Sequence, residues 1–207
     1  MKLINNTHNL IIIKIFISTL ILIFSFHSWT KADDISEFEI EGISIGDSFL
    51  KFYSLSDINK LYPGSYPKSD DYETYEIHKS LSKIKFSTYD SVTVSWKKND
   101  KEKKIAAVSG IKLYPKKLKQ CLKKRDETVQ ELKEILNYTN ENEYEMHYGE
   151  GNDSIGYVVD LKIQGGSIRI WCTDWDNKTE EENNWDDDFN VSIETKEFIY
   201  WLDNIAY

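Results

Sequence analysis

The stretch from Ile155 to Cys172 constrains the fold more than any other part of the chain. Every second residue of its first part is apolar, at Ile155, Tyr157, Val159, Leu161 and Ile163. That period is typical of a strand with one buried face. Gln164-Gly165-Gly166-Ser167 follows, and paired glycines tolerate the positive φ of a tight turn. The alternation then resumes up to Cys172, so the sequence predicts an antiparallel hairpin.

The same alternation recurs more weakly along the chain. Further strands are predicted over four stretches, 72–88, 92–96, 105–114 and 189–193. The separation of strands from helices favours an α+β fold, a meandering antiparallel sheet with the helices on one face. The order of elements also allows two helix-plus-three-strand units, a pseudo-repeat of 38–114 and 115–207 within one mature domain.

The longest helix is predicted from Pro115 to Tyr138. Its buried side is marked by residues at steps of three and four, namely Leu118, Leu122, Arg125, Val129, Leu132 and Leu136. Pro115 suits the first helical position, where no backbone donor is needed. A C-terminal helix is predicted after the cap Thr195, and Phe198, Trp201, Leu202 and Ile205 give its buried side.

Residues 1–32 have the layout of a signal peptide. Lys2 precedes an apolar run that ends at Phe26, and the small residues Thr30 and Ala32 occupy the positions that define cleavage. Cleavage is expected between Ala32 and Asp33, which leaves 33–207 as the mature domain. The alternative is an uncleaved segment that anchors the protein in a membrane, the one membrane contact that the sequence suggests. We therefore expect a periplasmic or secreted protein.

Charge and cysteine content agree with export. The full chain carries a net charge of −9, and losing Lys2, Lys14 and Lys31 with the signal segment would make it more acidic. Phosphate repulsion makes such a chain a poor nucleic-acid binder. The two cysteines, Cys121 and Cys172, are expected to form a disulfide in an oxidising compartment. Free thiols or an intermolecular bond are the alternatives.

The stretch from Asp174 to Asp188 has the most unusual composition. It is dense in acids and carries two tryptophans, so we consider it a candidate partner-binding loop centred on Asp174, Trp175, Asp176, Trp185 and Asp186. A plain solvated loop is the alternative. Calcium binding is a weaker alternative, because Lys178 occupies a position where the calcium-loop pattern needs an oxygen ligand. No metal and no cofactor are expected.

Catalytic patterns are sparse. His147 lies near Glu143 and Glu145 and could act as a general base, and Glu145 with Glu150 could form a carboxylate pair. No phosphate-binding glycine loop, HExxH or CxxC motif accompanies them. The sequence therefore favours a binding or interaction protein whose partner is a protein or a small molecule. A small hydrolase and a calcium-stabilised envelope protein remain as alternatives.

Three segments resemble a group of exported proteins from AT-rich marine bacteria. They are Phe38–Ser48, Cys121–Glu127 and Ile168–Trp175, and the likeness ends near Trp201-Leu202. The group has no assigned activity, so this resemblance implies export and no catalytic residue.

The chain is also similar at the level of fold to small envelope-assembly lipoproteins and β-lactamase inhibitor proteins. Those have a glycine-then-helix opening followed by a three-stranded meander, sometimes in tandem. Here the opening Gly46–Leu61 and the strands up to Tyr114 would form one unit, and Pro115–Ile193 the next. The lipid-bearing cysteine of the lipoproteins is missing, which argues against a membrane tether.

Overall fold

The structure, a computed structural model, describes residues 31–149 and 151–207. The predicted signal segment lies outside the described residues except for Lys31 and Ala32. Residues Ala32–Tyr207 form one compact unit. Within the described residues four α-helices occur: α1 (Leu55–Ile58), α2 (Leu118–Ile135), α3 (Asn177–Asn183) and α4 (Lys196–Asn204). Short 3-10 helices lie at Ile35–Glu37 and Phe49–Lys51.

Two very short strands, β1 (Glu39–Ile40) and β2 (Ile43–Ser44), pair with each other in a separate two-stranded sheet. The other strands are β3 (Tyr62–Gly64), β4 (Tyr72–His78), β5 (Ser91–Lys97), β6 (Ile105–Leu113), β7 (Asn140–His147), β8 (Ile155–Ile163), β9 (Gly166–Asp174) and β10 (Asp188–Thr195). They form one open antiparallel sheet in the order β3-β4-β5-β6-β10-β9-β8-β7. The α+β class predicted from the sequence is confirmed.

The sheet consists of two meanders that meet in its middle. Strands β3–β6 follow one another in the first half and β7–β10 in the second, and β6 pairs with β10 where the halves join. The hairpin predicted around Gly165 is the β8–β9 connection, where Gly165 has φ +87°. Gly166 is also required there, because a Cβ at this position would lie 1.8 Å from the carbonyl oxygen of Glu194.

One face of the sheet is apolar and carries the main core. We call it the apolar face; its side chains are Ile77, Val92, Val94, Val108, Leu161, Ile168, Ile170, Cys172, Val191 and Ile193. The N-terminal segment covers one part of it with Ile43, Phe49 and Tyr53, while α2 packs on β9 and β10. Trp96 is fully buried and stacks on Phe49 and Tyr75, with ring centroids 5.0 and 5.2 Å apart.

The long helix is shorter at both ends than predicted. It begins at Leu118 and ends at Ile135, and its fully buried residues are Cys121, Arg125 and Val129. Leu118, Leu122 and Leu132 pack at the margin of the core. The predicted disulfide is present: the Sγ atoms of Cys121 and Cys172 are 1.93 Å apart, and the bond ties α2 to β9.

The C-terminal helix departs from the expected layout. The sequence predicts helices on one face, but α4 packs on the opposite side of the sheet, which we call the polar face. There Phe198 and Trp201 form a small separate core with Tyr72 and Ala107. Ala107 alternates with the apolar-face residue Val108, so its side chain points to the other side. The short β10–α4 junction directs the helix to that face.

Candidate functional site

The acidic segment is more ordered than the solvated loop that was considered for it. Strand β9 runs to Asp174, α3 occupies Asn177–Asn183, and β10 begins at Asp188. Asp176 caps α3 by accepting hydrogen bonds from the backbone N–H groups of Lys178 and Thr179 at 2.9 and 3.0 Å. These bonds, the one from Thr179 first, lower the pKa of Asp176 to about 2. Asp176 therefore has a structural role.

Three aromatic rings pack together beside α3, and we call Tyr148, Trp175 and Trp185 the aromatic cluster. Ring centroids of Tyr148 and Trp175 are 4.6 Å apart, and those of Trp175 and Trp185 are 4.7 Å apart. Trp185 remains 48% exposed. Of the predicted binding-loop residues, Trp175 and Trp185 are thus brought together, while Asp174 and Asp186 lie half-buried around them.

Two carboxylates fix the position of Trp175. Its backbone N–H donates to Asp187 Oδ1 at 3.1 Å, and its indole Nε1 donates to Asp188 Oδ2 at 3.2 Å. Both carboxyl groups are largely removed from water, so burial raises the pKa of Asp187 and raises that of Asp188 to about 6. The exposed Trp185 therefore packs on Trp175, whose position is fixed by two carboxylate groups.

The aromatic cluster adjoins the polar face. Asp188 and Thr173 are paired neighbours on β10 and β9, and Tyr148 Oη lies 3.2 Å from Thr173 Oγ1. Further along the same face, α4 leaves part of the sheet uncovered. We call this part the polar strip; it is formed by Thr93, Ser109, Ile111, Trp171 and Tyr144. The first four are half-buried, and Tyr144 is 40% exposed. The two surfaces considered from the sequence, a sheet face and the acidic loop, are therefore contiguous.

A buried ionic group lies beside the polar strip, on the same face of the sheet. Arg169 Nε is 3.3 Å from Glu194 Oε2, and its Nη2 is 3.4 Å from Asp203 on α4. Burial raises the pKa of Glu194, which also accepts a hydrogen bond from Ser192 Oγ at 2.8 Å. Asp160 pairs with Arg169 across β8 and β9, and its Oδ1 is buried without a hydrogen bond to any described residue. No sequence motif indicated this group.

Within the described residues, the lysines of α2 form no ion pairs with the acidic segment. In the described part of the chain, Lys123 pairs with Glu127 on the same helix, and no salt bridge joins an α2 lysine to Asp174 or Asp176. Opposite charge around the disulfide therefore does not hold this segment in place; the cap Asp176 and the aromatic packing do.

Among the described residues, the candidates His147, Glu143 and Glu145 are not assembled into a catalytic site. His147 is exposed on β7, and its side chain makes no hydrogen bond or ion pair with the residues that the structure describes. Glu143 instead pairs with Arg125 at 3.0 Å, and Glu150 lies outside the described residues. No group of three His, Cys, Asp or Glu side chains in 31–149 and 151–207 is arranged to hold a metal ion.

The residues at the predicted cleavage site lie at the C-terminal end of α2. The Ala32 N–H donates to the Ile135 carbonyl at 2.8 Å, and the Asn137 N–H donates to the Ala32 carbonyl at 3.0 Å. The backbone N–H of Asp33 donates to Glu37 Oε1 at 2.9 Å. The residues on both sides of the predicted junction are thus hydrogen-bonded within the described part of the chain, while cleavage itself stays a prediction.

Comparisons with protein-family models, with curated proteins and with solved structures give no match to this chain. The resemblances described above therefore remain predictions. In the described residues, none of the helices combines the length and the apolar character that a membrane crossing requires.

The raised pKa of Asp188 predicts a pH-dependent stability. Its pKa is about 6 in the fold against 3.8 for an ordinary aspartate, so the fold favours the protonated form. That stabilisation is complete below pH 3.8 and is lost as the pH rises through about 6, a change of roughly 2–3 kcal/mol. Asp188→Asn should remove this part of the pH dependence. Urea unfolding at pH 4 and pH 7 measures it.

The matched control is Asp153→Asn, at an exposed position near the same end of the sheet. It should keep the wild-type difference in unfolding free energy between the two pH values. An Asp188→Asn variant with the same pH dependence as wild type would contradict the role given to this carboxyl group.

Proposed function

We propose that the protein is an exported binding protein that recognises a partner protein through the polar strip and the aromatic cluster. The observation that carries this proposal is the incomplete cover of the polar face. Helix α4 packs near Ala107 and Tyr72, while Tyr144 and Trp185 stay exposed and Trp171 is half-buried. Aromatic residues and tryptophan above all are enriched at the centres of protein interfaces.

The width of this surface favours a macromolecular partner over a small ligand. The polar strip runs from β5 to β7, across six neighbouring strands. Strands lie about 4.8 Å apart, so the strip is roughly 24 Å wide. A shallow surface of that width resembles a protein interface in scale, whereas small-molecule sites are concave and enclose most of their ligand.

Export is supported by the bond between Cys121 and Cys172. Both side chains are fully buried and bonded to each other, and disulfides persist mainly in oxidising compartments. Together with the predicted signal segment, this favours the periplasm or the extracellular space as the place of binding.

Site-specific photo-crosslinking in cells tests the proposal. A photoreactive phenylalanine analogue is placed at Tyr144, at Trp185 and, as the control, at Leu55, which is 59% exposed and lies on α1 outside the polar face. Mass spectrometry of the captured protein should identify the same partner from Tyr144 and Trp185 and not from Leu55. Crosslinks that are absent at the two site positions, or equal at all three, would contradict the proposal.

Truncation of the two exposed rings gives a quantitative check. Trp185→Ala with Tyr144→Ala should reduce the affinity for the captured partner at least about thirtyfold, the effect of losing an interface residue worth about 2 kcal/mol. Leu55→Ala serves as the control and should leave the affinity unchanged. The melting temperature of each variant shows whether the fold is intact.

A further inference from the structure

The outer edge of β7 is a second surface that could bind a partner, through its backbone N–H and C=O groups. Within the part of the chain that the structure describes, strand β7 is the last strand of the sheet, is eight residues long, and pairs only with β8. Seven of its eight residues are exposed. Among residues 31–149 and 151–207, none pairs with its outward backbone N–H and C=O groups. Edge strands of this kind are templates for the addition of another strand.

Strand β7 lacks several of the devices that usually protect an edge strand, although it does carry three glutamates. It contains no proline, lysine or glycine, and its register with β8 continues without a bulge from Asn140 to His147. The opposite edge of the sheet differs, because β3 has only three residues and includes Pro63. Strand addition is therefore favoured at β7 and disfavoured at β3.

The side chains of β7 give the edge a marked charge. Glu141, Glu143 and Glu145 alternate along the side of the strand that continues the apolar face. Helix α2 pairs with two of them, through Lys133 at 2.5 Å from Glu141 and Arg125 at 3.0 Å from Glu143. Glu145 makes no salt bridge to the described residues and is exposed. The other side of β7 carries neutral side chains, among them Asn142 and Tyr144.

This charge pattern disfavours pairing with a second copy of the chain. In an antiparallel pair of β7 strands, side chains on the same face must oppose each other, so odd-numbered residues face odd-numbered residues. In the register centred on Glu143, this residue then faces its own copy and Glu141 faces Glu145. Like charges directly opposite each other destabilise a strand pair. A basic strand would instead meet opposite charges in every such register.

We propose that the outer edge of β7 binds an extended segment of another protein with Lys or Arg at alternate positions, as a ninth strand of the sheet. Backbone hydrogen bonds to β7 supply affinity, and the alternate basic side chains supply specificity by lying next to Glu143 and Glu145. This edge shares the strand of Tyr144 with the polar strip, but it uses the outward backbone of β7 and the glutamates on the opposite face of the sheet, so the inference does not depend on the function proposed above.

Three labelled peptides test the mode of binding. The probe is an eight-residue peptide in which lysine and valine alternate, and the two comparisons are its glutamate–valine analogue and a lysine–valine peptide N-methylated at every backbone amide. The N-methylated peptide keeps the charge but cannot donate backbone hydrogen bonds along either edge. Fluorescence anisotropy should show that the unmodified lysine–valine peptide binds at least about tenfold more tightly than either comparison. Equal binding of the N-methylated peptide would overturn strand addition.

Two proline variants locate the binding edge. Asn142 and Glu145 are three residues apart, so one directs its backbone N–H toward β8 and the other directs it outward. The variant among Asn142→Pro and Glu145→Pro that keeps the wild-type melting temperature is the outward one, and it should lose peptide binding at least about tenfold.

Trp185→Ala is the control and should bind the peptide as wild type does, so failure here is distinguishable from failure of the proposed function. Unchanged peptide binding by the stable proline variant would overturn the proposal. A dimer in light scattering that this variant abolishes would also overturn it, in favour of a second copy as the occupant.

Discussion

Replacing Arg169 with methionine is expected to lower the free energy of unfolding by about 3–5 kcal/mol at pH 7. Methionine fills much of the space of the arginine stem but leaves Glu194 without its cation. Glu194 is 5% exposed, and burial already raises its pKa with Arg169 in place. Removing one member of a buried ion pair is costly because the other charge stays buried and uncompensated.

The loss should depend on pH in a defined direction. A carboxyl group with a raised pKa stabilises the fold in its protonated form, so its contribution is present below about pH 4.5, the ordinary value for glutamate, and is lost as the pH rises. Without Arg169 the pKa of Glu194 rises further. Chemical denaturation should therefore show a small effect of Arg169→Met at pH 4 and a large one at pH 7.

Two further variants separate charge from packing. Arg169→Met combined with Glu194→Gln should recover part of the stability at pH 7, because no unpaired carboxylate remains at that position. Lys162→Met, an exposed change on the same face, should stay within about 0.5 kcal/mol of wild type. An equal loss at pH 4 and pH 7 would show that the arginine stem, and not its charge, supports the fold.

The fold could be predicted because its strands follow a strict two-residue period. The alternation from Ile155 to Ile163 and the two glycines after it are local signals, and they determine the β8–β9 hairpin almost alone. Helix α3 had no such signal. Its sequence, Asn177–Asn183, has no apolar face, and what defines it is the cap Asp176, which holds the first turn through two backbone N–H groups.

The candidate site was only partly predictable for a different reason. Alternation shows that Trp171 and Arg169 face away from Ile170, but it does not show which part of that face stays open. Which part of the polar face is covered depends on the turn after Thr195, because this turn places α4 on that face. The ion pair of Arg169 with Glu194 also needs the register of β9 against β10, which joins residues far apart in the chain.

Removing the disulfide should cost up to about 4 kcal/mol of stability when Cys121 and Cys172 are both replaced by alanine. The two cysteines are 51 residues apart, and the chain-entropy model gives ~4 kcal/mol for closing a loop of that length. For a chain of this size the melting temperature should fall by about 8–16 °C. Differential scanning calorimetry of the double variant against wild type measures the effect.

The position of the bond predicts where the structure loosens first. The buried residues of α2 are Cys121, Arg125 and Val129, so the covalent link at Cys121 is a large part of its attachment to β9. Cys172 lies two residues before Asp174, where the acidic segment begins. Hydrogen exchange should therefore accelerate in α2 and in residues 174–188 of the double variant. In β4 and β5, which belong to the other meander, protection should fall only with global stability. Equal hydrogen exchange of the acidic segment with and without the disulfide would contradict this prediction. It would show that the Asp176 cap and the aromatic cluster alone keep the segment ordered.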